Sequence, residues 1–213
     1  MPITNPYPKL ELPIGSLLEG IVTTLNADRT TNISPMGPIV DHEWTCLRLR
    51  PFTSSTTYKN LQRHGEGVLH VTDDVLLFAL AATGRLEPQP ELTEASAVAG
   101  NILVDTCRWY AFRVTSLDDT TERTNIVAKI VDQGQNRDFF GFNRAKHAVI
   151  EAAILATRID FLPADEILSE FRRLSTPVHK TGGHQELRAF DFLQQYVQQE
   201  LATKDLTLRT TRP

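Results

Sequence analysis

Five hydroxyl side chains stand in a row at Thr53, Ser54, Ser55, Thr56 and Thr57, with Arg48 and Arg50 just before them and Tyr58, Lys59 and Asn60 just after. Arg48 and Arg50 alternate with Leu47 and Leu49, so both arginines leave a strand on the same side. The hydroxyls then open a short helix. A helix start leaves free N–H groups and a partial positive charge, which attract anions. A guanidinium adds a bidentate partner for phosphate oxygens, and hydroxyls add neutral donors. This combination suits a terminal phosphate. Taken alone, the stretch is read more simply as a helix cap, with Ser54 or Ser55 as the capping residue and the other hydroxyls in water.

A second candidate is "TNISPMGPI" (31–39). Pro35 and Pro38 cannot donate to a sheet ladder, so this strand must lie at an edge, carry a bulge or end early. Asn32, Ser34 and the unpaired backbone can read the rim of a flat heterocycle, and Met36 can lie against its face. An edge that uses proline against aggregation is again the simpler reading of this segment alone.

Other titratable residues fit structural roles. His147 and Glu151 are spaced i, i+4 on a helix and suit a structural pair. His64 and His70 have no third ligand nearby, so a metal site is not expected. Asp73 or Asp74 caps the following helix. Trp109 reads as core. Cys46 and Cys107 lie in strand-like runs without C-x-x-C spacing and read as two buried thiols.

The elements that must position these groups follow from periodicity and turn signals. Strands are expected over 17–26, 31–40, 44–52, 67–74, 106–117 and 124–133, mostly as hairpins joined by polar turns. Tyr110, Phe112 and Val114 share one face, and Ile126, Ala128 and Ile130 another. Short helices are expected over 54–65 and 74–84. After Gly141 the period changes to that of helices over 143–159, 163–174 and 185–201, with "TGGH" as a linker and a polar, frayed tail from Ala202. The reading is a small antiparallel barrel followed by helices.

The chain has 213 residues, 41% hydrophobic and 23% charged, with a formal net charge of -4. That balance is ordinary for a globular protein and offers no electrostatic reason to expect nucleic acid or an anionic membrane as partner. The N-terminal stretch lacks a basic-then-apolar signal pattern, and no apolar run is long enough to span a bilayer, so a cytoplasmic protein is expected. "TGGH" has no strand before it and fails as a nicotinamide-binding loop.

The stretches "EGIVTTLNADRTTNISPMG", "LRLRPFTSSTTYKNL", "GVLHVTDD" and "NRAKHAVIEAAILATRI" follow one another over about residues 15–160. In that order the chain resembles the FMN-binding split-barrel flavoproteins related to flavin reductases. It looks most like their uncharacterised branch in archaea and in bacteria with tetrahydromethanopterin-linked one-carbon pathways. That association travels with the resemblance and with no residue here. The resemblance implies a mainly β fold with α: a split antiparallel β-barrel at 10–140, binding FMN, and a C-terminal helical subdomain at 141–205. It implies a homodimer with FMN in a groove between subunits. Arg50, Ser54, Ser55, Thr56 and Thr57 would sit near the FMN phosphate. Asn32, Ser34, Pro35 and Met36 would line the isoalloxazine, supported by Tyr58 and Asn60. Asn143, Arg144 and His147 would approach from the helix, in the same or the partner subunit. The turn "NADRTT" departs from the family in lacking a glycine. The implied function is an FMN-dependent oxidoreductase of a small molecule. The alternatives are a flavin-binding protein without turnover and a scaffold that has lost the flavin.

Overall fold

Alternating apolar residues build the centre of the sheet. Tyr110, Phe112 and Val114 of one long strand, β9 (Arg108–Asp118), meet Ile126, Ala128 and Ile130 of the next, β10 (Asn125–Gln135), in one hydrophobic core. Register shifts between Val127 and Ala128 and between Ile130 and Asp132 bend this hairpin, as bulges do. The computed structural model describes residues 15–210, with side chains through Lys204. Residues 10–14 of the expected barrel segment lie outside the described residues.

Before this hairpin come β1 (Ser16–Leu17), β2 (Gly20–Leu25), β3 (Thr31–Met36), β4 (Ile39–Val40), β5 (Cys46–Leu49), α1 (Thr56–His64), β6 (Glu66–Val71), α2 (Val75–Ala82), β7 (Leu92–Glu94) and β8 (Asn101–Leu103). After it come α3 (Arg144–Ala156), α4 (Ala164–Thr181) and α5 (His184–Thr210). The large sheet has eight strands in the order β1-β4-β5-β10-β9-β6-β2-β3, antiparallel throughout. Its end strands β1 and β3 do not pair with each other, so the barrel is split there. The fold is mainly β with α: a split antiparallel barrel followed by a helical region. The sequence reading of six strands missed β7 and β8, three residues each and too short to show a period, and ran β1 into β2 and β4 into β3 as single strands.

Pro35 lies in β3, on the edge of the sheet, where its missing N–H costs no ladder bond. The β2–β3 turn contains no glycine, and Arg29 takes the left-handed conformation at φ 68° instead. Asp28 braces it by accepting from the backbone N–H and hydroxyl of Thr30. Helix α1 is capped by Ser55 and stopped by Gly65 at φ 66°, a conformation glycine adopts without strain.

The helices form a second core. Val75 and Ala79 of α2 pack with Ala148, Val149 and Ala152 of α3, Phe171 of α4 and Phe190 of α5. Helix α4 runs past the expected end at Leu174, through Pro177, because Val178 continues the buried stripe of Ile167, Phe171 and Leu174. Helix α5 continues beyond Leu201 to Thr210, where a frayed tail was expected. Among the described residues no helix is long and apolar enough to cross a membrane, and no cluster of His, Cys, Asp and Glu is grouped to hold a metal ion. Cys107 is buried as expected, but Cys46 is exposed at the start of β5.

His70 is wholly buried in β6. One ring nitrogen, Nε2, accepts from the Leu103 N–H at 3.0 Å; Nδ1, 3.2 Å from the Ile21 carbonyl, then carries the proton and donates. Burial pushes its pKa down to about 4 from an ordinary 6.5, against the opposing pull of the Ile21 bond. The unfolded chain therefore takes up a proton below about pH 6.5 that the folded one refuses until about pH 4. Stability should be full above the upper value and fall by about 2 kcal/mol by pH 5 and toward about 3 kcal/mol by pH 4. Urea unfolding across this range reads the slope. A His70→Asn variant should show a shallower one, whereas a flat wild-type profile from pH 7.5 to 5 would refute the assignment.

Candidate functional site

A cavity of about 380 Å³ lies between the split edge of the barrel and the helices. One wall is Ser34, Pro35, Met36 and Gly37 at the end of β3. The facing wall comes from α2 and α3: Phe78, Ala81 and Ala82, then Ile150, Ala153 and Ile154. The remaining side holds the polar groups Arg50, Ser55, Thr57 and Arg123.

The polar end is held by a zipper between the segment after β5 and the β9–β10 loop. The Thr53 N–H donates to the Glu122 carbonyl at 3.0 Å, and the Thr124 N–H and hydroxyl donate to the Pro51 carbonyl at 3.0 and 2.7 Å. Phe52 and Arg123 form a bridge between them, and the Arg123 guanidinium lies 5.4 Å from the centre of the Phe52 ring. Tyr58 anchors the same loop by donating to Asp119 at 2.6 Å while accepting from Gln62 at 2.8 Å. Its hydrogen bond to Asp119 pushes the phenol pKa up, with smaller contributions from lost water and the carboxylate charge.

The hydroxyl run divides by role. Ser55 spends its hydrogen on the Phe52 carbonyl at 2.8 Å and accepts from the Tyr58 N–H, so it is a cap rather than a donor into the cavity. Ser54 and Thr56 are exposed and outside the lining. Thr57 is buried, lines the cavity and accepts from Asn32 Nδ2 at 3.2 Å. That bond leaves its own hydroxyl hydrogen free to donate. Beneath it, Thr24 accepts from both Asn32 and Asn60, and Asn60 also donates to Asn26 and accepts from Arg63. The backbone N–H groups of Thr56 and Thr57 have no partner among the described residues. Most telling is Arg50: its Nε is buried and unpartnered. A guanidinium that lines the cavity without a protein partner, beside free N–H and O–H donors, fits an anion, a phosphate above all. Arg48 Nε shares this lack but lies outside the lining.

The structure thus brings Ser34, Pro35, Met36, Arg50, Ser55 and Thr57 together, with Asn32 and Asn60 as supports behind Thr57 and Tyr58 as a loop anchor. It does not bring Asn143, Arg144 or His147 to this cavity. Asn143 caps α3, accepting from the N–H groups of Ala145 and Lys146. Arg144 and His147 are exposed one turn or more before the stretch of α3 that does line it. The His147 ring meets Phe142 edge-on, and no ion pair joins it to Glu151 among the described residues. Asp74 caps α2, whereas Asp73 pairs with Arg137 at 2.7 Å and accepts from the Phe140 N–H. Sequence reasoning missed Arg123, Phe52 and Glu19. The polar loop "DDTTER" reads as a solvated turn, and only the long-range Phe52–Arg123 register brings its arginine, exposed as it is, to the cavity lining.

Comparison with known proteins agrees with this fold. The crystal structure of the FMN-bound protein MM1853 from Methanosarcina mazei, itself described by the DUF447 family, superposes with a TM-score of 0.72 at 24% identity, covering 85% of this chain and 95% of that one. More distant are the 2-nitrobenzoate 2-nitroreductase NbaA of Pseudomonas fluorescens (TM-score 0.48, 14% identity, 57% of this chain and 66% of that one) and the styrene monooxygenase flavin reductase of Pseudomonas putida S12 (0.48, 12%, 58% and 83%). No curated protein matches the chain. The family described as "Protein of unknown function (DUF447) N-terminal domain" matches residues 18–137, and its companion "Protein of unknown function (DUF447)" matches residues 143–195. With its barrel and its helices both matched, the chain belongs to the DUF447 family.

Proposed function

We propose that this protein binds FMN in the cavity between β3 and α3 and acts as a flavoprotein oxidoreductase on a small molecule. The observation that carries the reading is Arg50, a cavity-lining guanidinium whose Nε is buried without a partner, beside Arg123 and the unspent hydroxyl hydrogen of Thr57. Arg50, Arg123, Thr57 and the first N–H groups of α1 would hold the phosphate. Ser34, Pro35 and Met36 would take one face of the ring, with the apolar residues of α2 and α3 opposite. The FMN carried by MM1853, which shares this fold, supports the same reading. When bound, the flavin supplies hydride chemistry; the chain supplies position, electrostatics and exclusion of water. Phe78, Ala81, Ala153 and Ile154 exclude water from one side. The unpaired edge of β3 offers polar backbone to the ring.

The reading includes a cytoplasmic homodimer. Phe139, Phe140 and Phe142 are 49%, 73% and 93% exposed beside Arg144 and His147. An apolar patch of this kind suits a second copy of the chain. It would bring the start of α3, with Asn143, Arg144 and His147, toward the partner's cavity. The barrel and the helical region, divided near residue 141, would act as one unit around the flavin.

Purified protein given FMN and passed through gel filtration should retain a yellow chromophore at the elution volume of a dimer. Bleaching of that chromophore by a reduced nicotinamide under anaerobic conditions would support turnover. Retained colour without bleaching by any reductant of physiological potential would favour a carrier, and a colourless protein would contradict the proposal.

A further inference from the structure

We propose that Glu19 takes up a proton when the cavity fills and then faces the ligand as a neutral carboxylic acid. This rests on the FMN reading above and assigns a role to a residue that reading leaves unused. Glu19 directly precedes β2, whose first residue, Gly20, pairs with Met36 of the cavity wall. It lines the cavity and is exposed there, and its carboxylate has no hydrogen bond or ion pair among the described residues.

The charges that face Glu19 decide what happens when a ligand covers it. From α3 comes Glu151, one residue after the cavity-lining Ile150, and its negative charge is felt at Glu19. Arg50 and Arg123 line the same cavity but are not what acts on the Glu19 carboxyl; the charge of Glu151 is also felt at Arg173 of α4. Loss of water around the carboxyl, and then Glu151, already push its pKa up. A bound ring would remove more water and bring no cation, and the phosphate of FMN would add negative charge. An unpaired carboxylate that loses its water neutralises instead of staying charged. In the neutral form its O–H is a donor, which a bare carboxylate is not. The cavity then has two ends of different chemistry: guanidinium and hydroxyl donors for an anion, and a carboxylic acid able to donate a hydrogen bond to a heterocycle or substrate. A proton held there is available to an acceptor in the cavity.

Isothermal titration of the full chain with FMN at pH 7, in buffers of different ionisation enthalpy, counts the protons taken up. The wild type should take up roughly half a proton or more per FMN, and Glu19→Gln close to none. The wild-type affinity relative to Glu19→Gln should fall as pH rises, by up to about tenfold per unit; the FMN phosphate titrates equally in both and cancels. Glu151→Gln removes the like charge and should move this fall to lower pH. Riboflavin, which lacks the phosphate, should show the same difference between wild type and Glu19→Gln. Equal proton uptake in wild type and Glu19→Gln, with FMN bound by both, would overturn the assignment of Glu19 alone. Failure of the wild type to bind FMN at all would overturn the flavin reading and this inference with it.

Discussion

Replacing Arg50 by alanine should weaken FMN binding by roughly 10- to 100-fold. The effect follows from what this side chain lacks. Its Nε is buried and has no partner, although an unmet buried donor is costly. A charge-assisted bond to phosphate is worth about 1.5–3 kcal/mol, and each 1.4 kcal/mol is about tenfold in affinity. Arg50→Lys keeps the charge but loses the planar fork, so it should recover only part of the loss. Riboflavin discriminates the cause. Without a phosphate it should bind wild type and Arg50→Ala alike, whereas general damage to the cavity would weaken both flavins. Because the guanidinium makes no hydrogen bond or ion pair among the described residues, the variant should be no less stable than wild type, which thermal unfolding checks.

The largest stability effect is expected at Lys146. Its ammonium lies 2.8 Å from the Glu186 carboxylate, donates to the Asp73 carbonyl at 2.7 Å and reaches Gln185 at 3.3 Å. The two charged side chains are only 12% and 8% exposed. Burial raises the pKa of Glu186, but its bonds from Lys146 and from the Gly183 N–H outweigh this and leave it below the usual value of 4.5. Lys146 thus ties α3 to the start of α5 and to the chain between β6 and α2. Lys146→Met would strand a buried carboxylate with the Gly183 N–H as its remaining partner. Breaking such a pair costs about 3–5 kcal/mol, or roughly 6–20 °C in Tm for a chain of this size. Replacing both partners, as Lys146→Met with Glu186→Leu, should restore much of it, because no charge is then left buried. Since Glu186 is held below its ordinary value, the stability it contributes is present above about pH 4.5 and is lost as pH falls through its folded value. Helix α3 also carries Ile150, Ala153 and Ile154 of the cavity wall. The single variant should therefore lose flavin affinity as well, and the double variant regain it. Equal Tm values for the single and double variants would contradict this account.

Much of the arrangement was legible in local pattern. The β9–β10 hairpin, the proline-bearing edge strand, the Ser55 cap and the Asn143 cap each follow from a period or a capping residue. Thr57 was legible because a helix start leaves its direction little freedom, whereas alternation offered Arg48 and Arg50 alike and only Arg50, just past the end of β5, lines the cavity. What stayed hidden depends on distant register. Arg123 sits in a loop with every mark of a solvated turn, and it reaches the cavity because Thr53 and Pro51 pair with Glu122 and Thr124 far along the chain. Glu19 stood in plain view, but nothing local says that the helix carrying Glu151 will line the same cavity. The start of α3 drew attention through Asn143, Arg144 and His147, yet the residues that meet the cavity are the small and branched ones later in that helix. Their apolar surround of nearly the whole helix gave no single face to choose. The ends of α4 and α5 were set too early because Pro177 and a polar tail are stop signals locally, and the packing of Val178 overrides the first of them.

The central claim is that this cavity holds FMN by its phosphate. Equilibrium titration of the wild-type chain with FMN and with riboflavin, followed by flavin absorbance and fluorescence, tests it most directly. The account predicts that FMN binds with a perturbed spectrum and at least tenfold more tightly than riboflavin, with that preference lost in Arg50→Ala. Equal affinity for the two flavins, or no spectral change with either, would contradict it.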